Sequence, residues 1–171
     1  MAERTDAPMT AEERVLIVER VFDAPRELVW KGWTDPEQVM RWWGPKGFTS
    51  PACEIDLRVG GKYLWCMRTP QGQDFWNTGV YREIVLYERI VCTQSLADEK
   101  GNVVPGGHYG MSGDLPLETV VTVTFEEIDG RTRLVLRQEG IGDMLEGAEA
   151  GWNGAFDKLA DSLPAPEIKG G

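Results

Sequence analysis

The sequence holds 171 residues, 42% of them hydrophobic and 27% charged, enough for one domain with its own core and too apolar for a disordered chain. Its 18 basic and 28 acidic residues give a formal net charge of −10. Such a surface repels phosphate backbones and anionic lipid, which excludes nucleic acid as the expected partner.

Residues 1–13 are charged and lack the apolar core of a signal peptide, so they read as a flexible N-terminal tail ahead of a single domain over 14–164. A second flexible tail is expected over 165–171. Val15 to Phe22 is rich in β-branched and aromatic residues and predicts a strand. Asp23-Ala24-Pro25 punctuates the chain, and Pro25 to Thr34 reads as a short helix carrying Leu28, Val29 and Trp33 at helical spacing. Asp35 is placed to cap a second helix with Pro36 in its first position and Gln38 where a capping-box partner belongs. That helix carries Val39, Met40, Trp42 and Trp43, and Gly44-Pro45 ends it. Two adjacent tryptophans on a short helix are not expected to face the core together.

From Cys53 the pattern turns to β. Cys53 to Leu57 predicts a strand, Gly60-Gly61 a bulge or turn, and Lys62 to Thr69 a strand with Tyr63, Trp65 and Met67 on one face. Pro70-Gln71-Gly72 marks a hairpin turn before strands at about Phe75–Val85 and Arg89–Ser95. Leu96 to Pro116 reads as a long loop with five glycines, of the kind that forms lids or binding loops. Leu117 to Ile128 and Thr132 to Glu139 predict a hairpin around Asp129-Gly130. The last element is a helix over about Asp143 to Leu163. Leu145, Ala148, Trp152, Ala155, Phe156, Leu159 and Leu163 form its apolar stripe, and Pro164 stops it. The order is strand, two helices, about six meandering strands and a long helix: an α+β class in which the sheet must curl and the helix can fill its concavity.

The stretch Arg20 to Pro45 (RVFDAPRELVWKGWTDPEQVMRWWGP) resembles the opening signature of the activator-of-Hsp-ninety-ATPase-like (AHSA) family of the START-like, or SRPBCC, superfamily. Gly60 to Met67 (GGKYLWCM), Gly79 to Val91 (GVYREIVLYERIV), Thr119 to Glu127 and Gly151-Trp152 continue the likeness over about residues 15–163. Leu86-Tyr87 stands where the family often carries Pro-Pro. The resemblance implies a helix-grip fold like that of the birch-pollen-allergen-like binders: a curved antiparallel sheet wrapped around the long C-terminal helix, two short helices after the first strand, and a cavity between. It implies binding of a small hydrophobic or aromatic molecule. Relatives that are cyclase- or hydrolase-like enzymes leave chemistry in the cavity open, with Tyr63, Tyr81, Glu54, Asp56 or His108 as the groups that would serve. By name alone, the family implies a chaperone partner and a stress-response setting.

The residues themselves support a lined cavity. Seven tryptophans are present. Tyr63, Trp65 and Met67 share a strand face, Trp76 and Tyr81 lie on the next strand with unassigned faces, and Trp152 and Phe156 lie on the inner helix stripe. His108, the single histidine, and Met111 lie in the long loop. These nine residues either line a site of apolar walls and a few polar tips or fill the core. Gly147, Gly151 and Gly154 in the last helix serve a cavity surface, a lid or close packing. Glu83 and Arg89 read as an ion pair. No metal or cofactor motif is present, so none is expected, and no catalytic residue is singled out. Cys53, Cys66 and Cys92 are odd in number and scattered, which fits free thiols in a reducing, cytoplasmic setting. No run approaches the ~20 apolar residues of a membrane span. The sequence leaves homodimer formation open.

Overall fold

Alternation decides the sheet, and proline, glycine and capping residues decide its breaks. The computed structural model describes residues 15–111, 115–142 and 145–164; the expected tails at 1–13 and 165–171 lie outside them. Its elements are β1 (Val15–Phe22), α1 (Arg26–Thr34), α2 (Pro36–Trp42), β2 (Cys53–Ile55), β3 (Lys62–Arg68), β4 (Asp74–Val85), β5 (Arg89–Ala97), β6 (Thr119–Ile128), β7 (Arg131–Glu139) and α3 (Leu145–Ser162). The seven strands make one curved antiparallel sheet in the order β1-β7-β6-β5-β4-β3-β2. This is the expected helix-grip arrangement, with α3, about 27 Å long at 1.5 Å per residue, on the inner face.

Inward rows supply the core. Leu16, Val18 and Phe22 of β1, Val121, Val123 and Phe125 of β6, and Leu134 and Leu136 of β7 are buried, as are Trp33, Val39, Trp42, Phe156 and Leu159 of the helices. Phe156 meets Phe22 edge-on, with centroids 5.9 Å apart. Polar ties fix the helix to the sheet edge: Arg20 Nη1 donates to Asp157 Oδ1 at 2.9 Å. Asp35 caps α2 by accepting from the Glu37 amide at 3.0 Å.

Two glycines mark close approaches. A Cβ on Gly79 would lie 1.8 Å from the Thr93 carbonyl oxygen and 2.6 Å from the Tyr63 ring. Around this point the β4–β5 pairing runs from Thr78↔Ser95 to Tyr81↔Cys92 and then shifts register before Glu83. Thr93 supplies the substitutes: its Oγ1 accepts from the Val80 amide at 2.9 Å, and its carbonyl accepts from the Tyr63 hydroxyl at 2.6 Å. A glycine, a side-chain hydrogen bond and a bulge together bend the long strand. In α3, a Cβ on Gly154 would lie 2.9 Å from the Lys46 amide nitrogen, so the helix packs directly on the backbone after α2. Lys158 Nζ holds the same segment by donating to the carbonyls of Trp43 (3.3 Å) and Phe48 (3.0 Å).

The structure departs from expectation at three places. The β2 strand stops at Ile55, because the chain turns at once, with the Arg58 amide on the Asp56 carbonyl at 2.9 Å. The stretch between β5 and β6 begins and ends two residues later than expected, since β5 runs to Ala97 and β6 starts at Thr119, and Gly106–Tyr109 within it forms a 3₁₀ turn. Trp42 and Trp43 are both buried, at 0% and 6% exposure. Helix α2 ends at Trp42, and Trp43 adopts an extended backbone (φ −63°, ψ 138°), which releases its side chain from the helical progression. The Asp129-Gly130 turn forms as expected, with Ile128 paired to Arg131, and Arg89 and Glu83 form an ion pair.

Candidate ligand cleft

The sheet–helix interior is occupied chiefly by rings. Trp33 packs on Trp42 at 4.8 Å and stacks on Trp152 at 5.9 Å, and Trp43 meets Trp65 at 4.9 Å and Trp152 at 5.4 Å. Tyr63 continues the row, 5.1 Å from Trp65 and 5.6 Å from Tyr81. Each such pair is worth about 0.5–1.5 kcal/mol beyond burial. Trp42 donates its indole N–H to the Gly32 carbonyl at 2.8 Å. The indole nitrogens of Trp33, Trp43 and Trp65 are buried without a hydrogen-bond partner among the described residues. They lie among ring faces, which accept hydrogen bonds weakly. A void of about 20 Å³ remains beside Trp33, Tyr63, Tyr81 and Cys92, room for about one water.

Next to this void lies an open cleft of about 430 Å³ where α3 leaves the sheet. Helix α3 supplies Gly147, Ala148, Gly151, Trp152 and Ala155; the segment after α2 supplies Trp43, Gly44 and Pro45. Met67, Asn77, Gln94 and Gln138 come from four strands, and Met111 and Leu115 from the long loop. Its size lies within the usual range of small-molecule sites. Trp152 and Gln94 border both the cleft and the inner void.

One polar chain runs along the floor. Trp152 Nε1 donates to Gln138 Oε1 at 2.9 Å, and Gln138 Nε2 donates to Gln94 Oε1 at 2.8 Å and to Thr119 Oγ1 at 2.9 Å. Gln138 is only 2% exposed, so these bonds offset the cost of burying its amide. Every described residue lining the cleft is uncharged.

The titratable groups behind the cleft are held neutral. Burial keeps the Tyr63 hydroxyl well above the phenol range, with Cys92 and Tyr81 adding to the effect. Burial likewise raises Tyr81 and pushes the Cys92 thiol up to about 12. The sign for stability follows from proton binding: above about pH 9 the unfolded chain releases protons that the folded chain keeps. Stability from Cys92 is therefore whole below about pH 9 and is lost as pH rises toward about 12. Urea midpoints at about pH 8 and about pH 11 should differ, and Cys92→Val should shrink the difference.

The nine residues singled out in the sequence do not form one lining. Met67, Met111 and Trp152 border the cleft. Tyr63, Trp65 and Tyr81 border the inner void, and Phe156 is fully buried among Trp33, Trp42 and Trp152. Trp76 pairs with Cys66 and Ala97, which puts it on the sheet face opposite Asn77 and Trp65. His108 is exposed, against the ring edge of Tyr109 at 4.8 Å. Tyr109 ties the loop to the sheet, donating to the Ala97 carbonyl and accepting from the Trp76 amide at 3.2 Å. Asn77, Gln94 and Gln138 were not singled out. Gln138 ends the inward row Thr132-Leu134-Leu136, so period-two counting marks it as a buried polar group; Asn77 needs the strand register. Among the described residues no cluster of His, Cys, Asp or Glu could hold a metal ion, and no helix is long and apolar enough to cross a membrane.

A bent antiparallel sheet gripping a C-terminal helix, with a cleft at one end of the helix, defines a helix-grip protein of the START-like class. The chain belongs to the family described as Activator of Hsp90 ATPase homolog 1-like protein, whose model matches residues 23–163. A solved protein from Chromobacterium violaceum is similar at 29% identity and TM-score 0.71, over 90% of this chain and 98% of that one. The AHSA1 protein from Silicibacter pomeroyi is 26% identical with TM-score 0.67, over 86% and 96%. A protein from Arthrobacter aurescens is 26% identical with TM-score 0.71, over 95% and 94%. No curated protein matches the chain.

Proposed function

We propose that this protein binds a small, uncharged, largely apolar molecule in the cleft between α3 and the sheet. The supporting observation is the 430 Å³ space with apolar walls and a neutral polar floor. Transfer of apolar surface from water drives entry at roughly 25 cal/mol per Å², and the amides select orientation. The cavity-enzyme alternative draws less support, because general acid–base work needs a titratable group within reach of substrate. Tyr63 and Tyr81 border the inner void, and Glu54, Asp56 and Tyr63 line a separate open recess with Lys62 and Lys100 that shares no residue with this cleft. The chaperone-interaction alternative rests on the family description alone. The three free thiols, Cys53, Cys66 and Cys92, fit a reducing compartment such as the cytoplasm.

Native mass spectrometry of freshly purified protein, with extraction of what it carries, tests the reading. Retention of a stoichiometric small apolar molecule is expected. A Cβ on Gly151 would meet only Pro45, at 3.8 Å, so Gly151→Leu fills the cleft without a backbone clash. It should cut retention by at least about tenfold while leaving the fold intact. Full retention by Gly151→Leu would place the molecule elsewhere.

A further inference from the structure

We infer that Asn77 is the selectivity group of the cleft, and that it selects neutral ligands carrying one carbonyl- or carboxamide-type head on an apolar body. The inference rests on the ligand reading above and names the ligand class for the same site. Asn77 is 7% exposed and borders the cleft. Its side-chain amide has no hydrogen-bond partner among the described residues. The amide is not sealed: it opens to the cleft, where water serves it until the polar head of a ligand takes water's place. Its polar neighbours are committed: Thr78 Oγ1 donates to the Tyr63 carbonyl at 2.6 Å, and Tyr63 donates to the Thr93 carbonyl.

The floor network fixes what stands beside Asn77. An indole N–H can only donate, so Trp152 requires the oxygen of Gln138. The Gln138 amide nitrogen must then face Gln94, and it meets Gln94 Oε1. Gln94 Nε2 is left as a donor with no partner among the described residues. Asn77 pairs with Leu96 across β4 and β5, and Gln94 is the next residue on the same face of β5. The cleft thus offers one amide that donates and accepts, with further donors beside it. A carbonyl or carboxamide matches this set. A carboxylate would meet no cation among the lining residues, and a hydrocarbon would leave the amides unpaired.

Four naphthalenes substituted at the same ring position separate these cases by protein-observed NMR titration: naphthamide, acetylnaphthalene, ethylnaphthalene and naphthoate. Naphthamide and acetylnaphthalene are expected to bind at least about tenfold tighter than ethylnaphthalene, with naphthoate weakest. Asn77→Leu should abolish the preference and tighten ethylnaphthalene binding, without lowering Tm, because the replaced amide has no protein partner in the free protein. Asn77→Ala, which removes atoms only, should abolish the preference in the same way. A preference that survives both variants, or a Tm that falls in Asn77→Leu, would overturn the assignment and make Asn77 structural. If ethylnaphthalene binds as tightly as the amide and ketone, the cleft reading stands and the selectivity inference falls. If no probe binds, both fall.

Discussion

Gly79→Ala is expected to destabilise the protein by about 4 kcal/mol, at the upper end for a single substitution and a large share of the 5–15 kcal/mol that holds a domain folded. The new methyl would sit 1.8 Å from the Thr93 carbonyl oxygen and 2.6 Å from the Tyr63 ring. Neither can retreat independently. The carbonyl is backbone, and the ring is anchored to that carbonyl by the hydroxyl at 2.6 Å. Relief must come from straightening β4, which removes the bend that brings the sheet around α3. Urea unfolding with the far-UV signal should show the midpoint fall by more than a third, or no folded baseline at all. A drop below about 1 kcal/mol would mean that the strand bends by another device.

Trp152→Ala should cost about 3–5 kcal/mol, as removal of a buried tryptophan does, and should also enlarge the cleft. The indole stands between the cleft and the inner void and borders both. Its loss also leaves Gln138 Oε1 without the donor it meets at 2.9 Å, a further penalty of about 1–3 kcal/mol if no water replaces it. The hole has the shape of the group removed, so added indole should raise the variant's Tm by more than it raises the wild-type Tm. Trp76→Ala is the matched control. It lies on the other sheet face and is only partly buried, so its loss should be smaller and indole should not rescue it. Rescue of Trp76→Ala and not of Trp152→Ala would place the ligand space on the wrong face.

The fold was legible because its signals are local. Alternation in Thr119–Phe125, the Asp129-Gly130 turn, the Asp35-Pro36 cap and the stripe through Trp152, Phe156 and Leu159 each specify an element within a short window. The strand order then follows from hairpin neighbours, with β1 closing on β7. The site was legible only in part, because it is assembled across elements. Trp65 and Trp76 look alike in sequence, and the pairing of Cys66 with Trp76 sends one inward and the other out. Trp152 and Phe156 share a helix stripe, yet only the placement of α3 decides that Trp152 reaches the cleft while Phe156 is sealed in the core. Trp43 turns inward through one extended residue after α2, which helical spacing does not encode. Asn77, Gln94 and Gln138 are ordinary strand polars until three strands are aligned. His108 drew notice by chemical type, and chemical type says nothing about which way a loop residue points.

The packing of Trp33, Trp42, Trp43, Trp65 and Trp152 into one cluster has an optical consequence. Five indoles with centroids roughly 5–6 Å from their neighbours are close enough to couple electronically and to pass excitation among themselves. Their joint emission should be blue-shifted, as expected of rings shielded from water, and their near-ultraviolet circular dichroism should be strong and sensitive to small ring movements. Two of the five, Trp43 and Trp152, form cleft wall, so a guest that touches either ring perturbs the signal of the whole set. The chain therefore carries a built-in reporter of cleft occupancy, and no added dye is needed to read it.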